Sequence, residues 1–415
     1  MTLDWRQGLP TIHGPSVTLR EPRLADAGAL HERLTTAAVA RFISTPPSSS
    51  VGFERFISWV QHERQVGRHV CFVIIPDGTS DAAGLIQVRE IEGGFGTAEW
   101  GFVLAESQWG NGLFMTCARL VLDFAFRHMH VHRLEARASV RNGRGNGVLH
   151  KLGADPEGIL RQAFANHAVR SDQILWSIIA DDWLASHPDP VCHVDRPAVQ
   201  APETAHVAAR PPAGRWSAGL PSLQGPGVTL RELIPEDAET LTSLFSDGEV
   251  ARYIPPPPAS ARGFSRFIQW AHEQRDAGRV LCFGVVPESG GSAVGIFQLH
   301  ELEAPFHMAE WGCALGRPYW GTGLFNSSAQ AFLRFAFETV GVRRLEARVM
   351  ARNARGNAAL RRLGSTEEGH LRRSFLLGGE YHDDVLWAML DSDWRALHEH
   401  AGQRDAGVTE ATQHS

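Results

Sequence analysis

The second half of this chain repeats the first at one constant offset. Arg20 returns as Arg231, Glu99 as Glu310, Gly110 as Gly321, Asn142 as Asn353 and Trp183 as Trp394, each 211 positions on (231 − 20 and 394 − 183 agree). All 12 tryptophans fall into pairs at that spacing. So long a period is a whole folding unit, far beyond the roughly 20–50 residues of a solenoid repeat. The chain therefore folds as two versions of one architecture, and a function read in one unit has to be checked in the other.

Size and composition agree with two ordinary globular units. At 415 residues the chain has length for two or three domains, and each copy can build its own core. A net charge of −6 without a lysine or arginine block argues against a broad footprint for nucleic acid or anionic lipid. The cysteines, Cys71, Cys117, Cys192, Cys282 and Cys313, are odd in number and scattered. They fit reduced thiols of a cytoplasmic protein better than a disulfide framework, and no metal-ligand spacing occurs. Met1 to Pro10 lacks a signal pattern, and no apolar run nears membrane-spanning length, so no membrane partner is expected.

Both copies open on one phrase, Trp5-Arg-Gln-Gly-Leu-Pro and Trp216-Ser-Ala-Gly-Leu-Pro, then enter the strands Val17–Arg20 and Val228–Arg231. Both close on an apolar strand and a tryptophan, Ile174–Ile179 with Trp183 and Val385–Leu390 with Trp394. The expected domains are 1–186 and 216–399, with a Pro/Ala/His-rich linker at 187–215 and a polar, frayed tail at 400–415. Within the first unit, periodicity predicts helices over Asp26–Phe42, Gly52–Gln65, Gly112–Phe126 and Asn146–Leu152. Strands are predicted over Val70–Ile75, Gly84–Val88, Ala98–Leu104 and Arg133–Arg137. Arg133 and Arg137, alternating with Leu and Ala, are expected on an exposed strand face. Trp59, Trp270, Phe56 and Phe267, at helical spacing, are expected in the core. Strands interleaved with helices imply a layered α/β domain.

The sharpest local feature is Gln108-Trp-Gly-Asn-Gly-Leu-Phe114, repeated as Tyr319-Trp-Gly-Thr-Gly-Leu-Phe325. It lies between a strand and the start of a long amphipathic helix. Two glycines let backbone N–H groups converge where the helix dipole adds positive potential, an arrangement that holds a phosphate without lysine. Two glycines alone are more often a loop that only starts a helix.

The wider pattern resembles the GNAT superfamily of acetyl-CoA-dependent N-acetyltransferases, and within it the branch of ribosomal-protein alanine N-acetyltransferases. The likeness is carried by Ala98-Glu-Trp-Gly101, Trp109-Gly-Asn-Gly-Leu113, Arg133-Leu-Glu-Ala-Arg137, and Asn142 followed by Lys151-Leu-Gly153. The second copy repeats them as Ala309–Gly312, Trp320–Leu324, Arg344–Arg348, and Asn353 to Gly364. The resemblance implies two tandem domains, each a twisted mixed sheet flanked by helices and split between the strands at Glu99 and Arg133. It implies acetyl-CoA as acyl donor. The pantetheine arm would lie along Phe102, Val103 and Leu104, or Cys313, Ala314 and Leu315. The diphosphate would rest on the bends Trp109, Gly110, Asn111, Gly112, Leu113 and Trp320, Gly321, Thr322, Gly323, Leu324. Asn142 and Asn353 match the family position that contacts pantetheine, while on their own residues they read equally as helix N-caps.

Direct transfer needs a neutral amine, and an α-amine, with a pKa of about 8, demands less of a base than a lysine at about 10.4. Glu99 and Glu310 are the candidate bases, with burial among apolar neighbours expected to raise their pKa. A strand-edge carboxylate paired with arginine is the plainer alternative. The sequence departs from the family where many relatives place a tyrosine acid, here Leu149 and Leu360, and where the branch places serine, here Gly145 and Gly356. The leading expectation is an enzyme that acetylates a protein N-terminus or small amine. The competing one is a CoA-binding module with one or both copies inactive. Two such halves could also pack as an intramolecular pseudo-dimer.

Overall fold

The computed structural model describes residues 4–91, 94–166, 169–191, 193–195 and 215–399. Cys192, most of the expected linker (196–214) and the expected tail at 400–415 lie outside them. The chain divides into two compact units, Met1–Ala209 and Arg210–Ser415.

In the first unit the strands are β1 (Ile12–Gly14), β2 (Val17–Arg20), β3 (His69–Pro76), β4 (Gly84–Glu90), β5 (Thr97–Leu104), β6 (Arg133–Ser139), β7 (Asp155–Asn166) and β8 (Val169–Ile179). The helices are α1 (Ala27–Leu34), α2 (Ala37–Ala40), α3 (Ser50–Gln65), α4 (Leu113–Arg127), α5 (Gly143–Lys151) and α6 (Ala180–Ser186). A two-residue strand, β9 (His193–Val194), pairs with β1, so the chain follows the first unit as far as Asp195. The single helix expected over Asp26–Phe42 is instead a 3-10 turn followed by α1 and α2. Thr36, whose hydroxyl accepts from the Val39 amide, starts a new helix there.

The second unit follows the same order. Its strands are β10 (Leu223–Gly225), β11 (Val228–Glu232), β12 (Val280–Pro287), β13 (Gly295–Glu303), β14 (Met308–Leu315), β15 (Arg344–Met350), β16 (Thr366–Leu377) and β17 (Glu380–Leu390). Its helices include α7 (Ala238–Phe245), α8 (Gly248–Ala251), α9 (Ala261–Asp276), α10 (Leu324–Arg334) and α11 (Ala354–Arg362).

Each unit is a mixed sheet covered on both faces, as the α/β expectation required. The strand order in the first is β1-β2-β3-β4-β5-β6-β8-β7, antiparallel except for the β5–β6 pair. The continuous apolar run of β3 is explained by burial on two sides. Val70, Phe72 and Ile74 join the core under α4, while Cys71, Val73 and Ile75 join the core under α1 and α3. Strand β12 divides in the same way.

Two expectations fail here. Arg133 and Arg344 are fully buried, not surface decoration. Arg133 bonds Glu135 at 3.1 Å and Glu157 at 2.5 Å, and Arg344 bonds Glu346 at 2.8 Å and Glu368 at 2.7 Å. Glu157 and Glu368 reach these positions because a bulge at Pro156/Gly158, and at Glu367/Gly369, inserts one extra residue and turns it inward. Trp59 and Trp270 are not core residues either: they are 47% and 39% exposed, with Trp59 set edge-on to His69. Their partners Phe56 and Phe267 do pack partly against the core.

Near the start of the second unit, Arg231 grips the buried Asp237 through two 2.8 Å bonds, and the Ile234 and Ala293 amides donate to the same carboxylate. Burial opposes ionisation, but these donors and the Arg231 charge outweigh it and hold the carboxyl below the usual aspartate range. A depressed folded pKa means this stabilisation is complete above the unfolded value of about 3.9 and fades as pH falls through the folded one. Asp237→Ala should cost about 3 kcal/mol at pH 7, read from denaturant unfolding, and the deficit should shrink on acidification below pH 4.

Candidate active site

The parallel pair is where each sheet opens. Strands β5 and β6 match only at Thr97–Arg133, Ala98–Leu134 and Glu99–Glu135, and β14 and β15 only at Met308–Arg344, Ala309–Leu345 and Glu310–Glu346. Beyond these pairs β5 stays with β4 as far as Leu104, while β6 stays with β8 as far as Ser139. The two strands thus part, and the Phe102–Leu104 backbone lines the gap with no ladder partner on that edge among the described residues. Cys313–Leu315 does the same in the second unit. Glu99 and Glu310 stand at the point of parting.

The glycine bend closes the outer end of the gap. Trp109 Nε1 donates to the Leu104 carbonyl at 2.9 Å, and Trp320 to Leu315 at 2.7 Å, tying each bend to the end of its strand. Gly110 and Gly112 both have φ of 83°, and Gly321 and Gly323 have 76° and 89°, so the left-handed region is what demands glycine. A Cβ at any of the four would meet nothing within 4 Å, so the space over the bend is open. One expected donor is already engaged: the Leu113 amide bonds Asn111 Oδ1 at 3.1 Å, and the Leu324 amide bonds Thr322 Oγ1 at 3.3 Å. That leaves the Gly110–Gly112 amides at the start of α4, where a helix N-terminus favours negative charge.

Across the gap, Asn142 and Asn353 are N-caps, accepting from the Gly145 and Gly356 amides at 2.9 and 3.0 Å. The capping role read from the residues is thus present, whatever else the amide contacts. Leu149 and Leu360 are buried core residues. At Gly145 and Gly356 an added Cβ would stand 2.6 and 2.7 Å from the asparagine Nδ2, so serine there would displace the cap.

Three features escaped the sequence reading. Arg144, on the first turn of α5, lies over the Trp109 ring, and Arg355 over Trp320, so a guanidinium from one lip reaches the bend on the other. Asn146 donates to the Ser139 carbonyl and accepts from Trp176 Nε1, bolting α5 to the sheet, and Asn357 repeats this with Met350 and Trp387. Their recurrence at the constant offset was the available signal. The third is a row across the sheet, set by register. In the first unit it reads His69, Arg89, Glu99, Glu135; in the second, Val280, His300, Glu310, Glu346.

Glu99 does not carry the raised pKa expected of it. Burial pushes it up, but the charges of Arg89 and Arg137 and a 2.6 Å hydrogen bond from Arg89 outweigh that and hold it below the usual range. His69 is pushed down to about 4 by burial, and His300 is also lowered by burial. Among the described residues, no group of three His, Cys, Asp or Glu is placed to hold a metal, and no helix is long and apolar enough to cross a membrane.

Parted strands beside a glycine bend are thus built twice, once in each unit. The acetyltransferase (GNAT) domain family matches residues 16–155 and again 228–366. These matches take in more than half of the chain, which belongs to the GNAT acetyltransferase family. Among its relatives is the ribosomal protein uS5-alanine N-acetyltransferase of Escherichia coli (strain K12), 26% identical over 133 residues, covering 32% of this chain and 69% of that one. The spermidine N(1)-acetyltransferase of the same strain is 26% identical over 193 residues, covering 46% of this chain and all of that one. A solved structure, Mycobacterium smegmatis RimJ in complex with CoA-disulfide, is 23% identical with a TM-score of 0.39, covering 45% of this chain and 98% of that one.

Asn357→Ala should unbolt α11, leaving the buried Trp387 N–H without its acceptor. The expected loss is about 1–3 kcal/mol in denaturant unfolding, with Asn357→Asp also destabilising because a carboxylate oxygen would face the Met350, Ala351 and Asn353 carbonyls to which Nδ2 now donates.

Proposed function

We propose that this chain transfers the acetyl group of acetyl-CoA to a primary amine by direct attack in a ternary complex, the acceptor being a protein N-terminus or a small amine. The observation that carries the reading is the gap between β5 and β6, and between β14 and β15, ending at a glutamate on one side and an open glycine bend on the other. The bend amides from Gly110 to Gly112 and Gly321 to Gly323 would hold the diphosphate, with Trp109 and Trp320 fixing each bend to its strand. The free edges at Phe102–Leu104 and Cys313–Leu315 would pair with the amides of the pantetheine arm, and Asn142 and Asn353 would border it. Acetyl-CoA supplies the activated thioester; the protein's part is to hold it against the amine and take up a proton. Relatives named for a ribosomal-protein alanine and for spermidine support this choice of acceptor class.

A second reading, that one copy binds the donor without chemistry, draws on one observation: Arg89 occupies Glu99 in the first unit.

Calorimetry of CoA with the full chain should give two sites. Gly321→Ala with Gly323→Ala should weaken one of them at least tenfold, the strain of left-handed alanine and lost amide geometry each contributing about 1–3 kcal/mol. Thiol release from acetyl-CoA should rise above hydrolysis with spermidine or an alanine-terminated peptide. CoA binding without that rise for a broad set of amines would refute transfer while leaving the cleft assignment standing.

A further inference from the structure

Of the described residues, the bulkiest apolar side chains left in water stand at the same place in both units. Trp59 on α3 is 47% exposed and Trp270 on α9 is 39% exposed. Each leans on a phenylalanine one turn earlier, with ring centroids 6.1 Å apart for Phe56–Trp59 and 5.6 Å for Phe267–Trp270. A lone exposed tryptophan is ordinary. An exposed aromatic pair built twice, at the edge of the same polar row, asks for a partner.

The indoles end a line that starts at the glutamates. Trp59 meets His69 edge-on, at 5.1 Å between ring centroids. His69 is the register partner of Arg89, and Arg89 of Glu99. Such partners point to one face of the sheet, here the face of Cys71, which joins the core under α1 and α3. Two residues on from Glu99, on the same face, Gly101 is exposed and has nothing within 4 Å of an added Cβ. Its partner Gln87 is half-buried and bonds His69 at 2.9 Å. An uncovered strip of sheet thus runs beside Glu99, with the indole on its far side. In the second unit the strip is Glu310 and Gly312 on β14 and His300 and Gln298 on β13, and Gly312 is again exposed and open.

The other face of β5 is closed, because Ala98 and Trp100 are buried in the core under α4. An acceptor whose amine reaches Glu99 therefore lies over the strip. Two strand spacings of about 4.8 Å separate the glutamate's strand from that of His69, a span of about 10 Å that an extended peptide covers in about three residues. Arg55 and Arg266, one turn before each tryptophan on the same helix face, are exposed. Their charge opposes the distal ammonium of a polyamine and leaves a neutral apolar group as the favoured contact.

We infer that Trp59 and Trp270 select the acceptor, by taking an apolar side chain at the third residue of a peptide whose N-terminal amine stands at Glu99 or Glu310. The place of the amine rests on the acetyltransferase reading above.

The test uses the full chain with the peptide amides Ala-Ala-Leu-Ala and Ala-Ala-Ser-Ala and with spermidine. Binding is read by calorimetry with saturating CoA present, and transfer by thiol release from acetyl-CoA. The leucine peptide should bind about tenfold or more tighter than the serine peptide. Trp59→Ala with Trp270→Ala should erase that preference by weakening the leucine peptide alone, with CoA affinity and melting temperature unchanged. Trp59→Phe with Trp270→Phe should keep most of it. Equal wild-type affinity for the two peptides, an unchanged preference in the double alanine variant, or a loss confined to spermidine overturns the inference. Tryptophan-dependent binding of the leucine peptide with no thiol release from any acceptor refutes transfer and leaves the selection standing.

Discussion

Two parallel strands stay together only while their backbone groups find each other, and in both units that contact ends after three residue pairs. The gap in each unit begins where it ends. Beneath the last pair lies a buried ion cluster, Arg133 with Glu135 and Glu157, or Arg344 with Glu346 and Glu368. Charges this deep are tolerable only when each finds a partner. The cluster therefore ties β6 to the bulge of β7 and holds the second lip of the gap in place. Ser177, donating to Glu157 at 2.7 Å, adds β8 to the same knot.

Above that knot each lip is fixed by a different device. The inner lip ends in a tryptophan whose indole N–H is spent on its own strand, so the bend that follows cannot swing away. The outer lip ends in an asparagine cap and a second asparagine bolted to a buried indole. Neither lip relies on an ion pair at the surface, where such pairs contribute little. The result is an opening whose backbone donors are set before any ligand arrives, which is what preorganisation requires.

Much of this was legible in the residues. The constant offset, the β-branched runs of β3 and β12, the glycine bends and the position of the parting at Glu99 and Arg133 all emerge from patterning and resemblance. What was not legible depends on partners from distant segments. Arg133-Leu-Glu-Ala-Arg137 alternates like any half-exposed strand, and nothing local announces that Glu157, displaced by a bulge, will meet Arg133 inside. Trp59 sits at core-like spacing, yet the α3 face it occupies overlooks the polar row and leaves it half in water. Glu99 and Glu310 do stand at the parting, but the basicity of Glu99 is set by Arg89, a residue that only strand register brings alongside. Burial alone predicted the wrong direction for Glu99 because a guanidinium across the ladder outweighs it.

The shared frame also frees the rest of the molecule to change. Because the buried knot, the caps and the bolts are duplicated intact, a swap such as Phe102 for Cys313 alters the lining of one opening without touching what keeps it open. A single polypeptide thereby carries its own control experiment: the same scaffold twice, tuned differently, in equal stoichiometry and the same solvent.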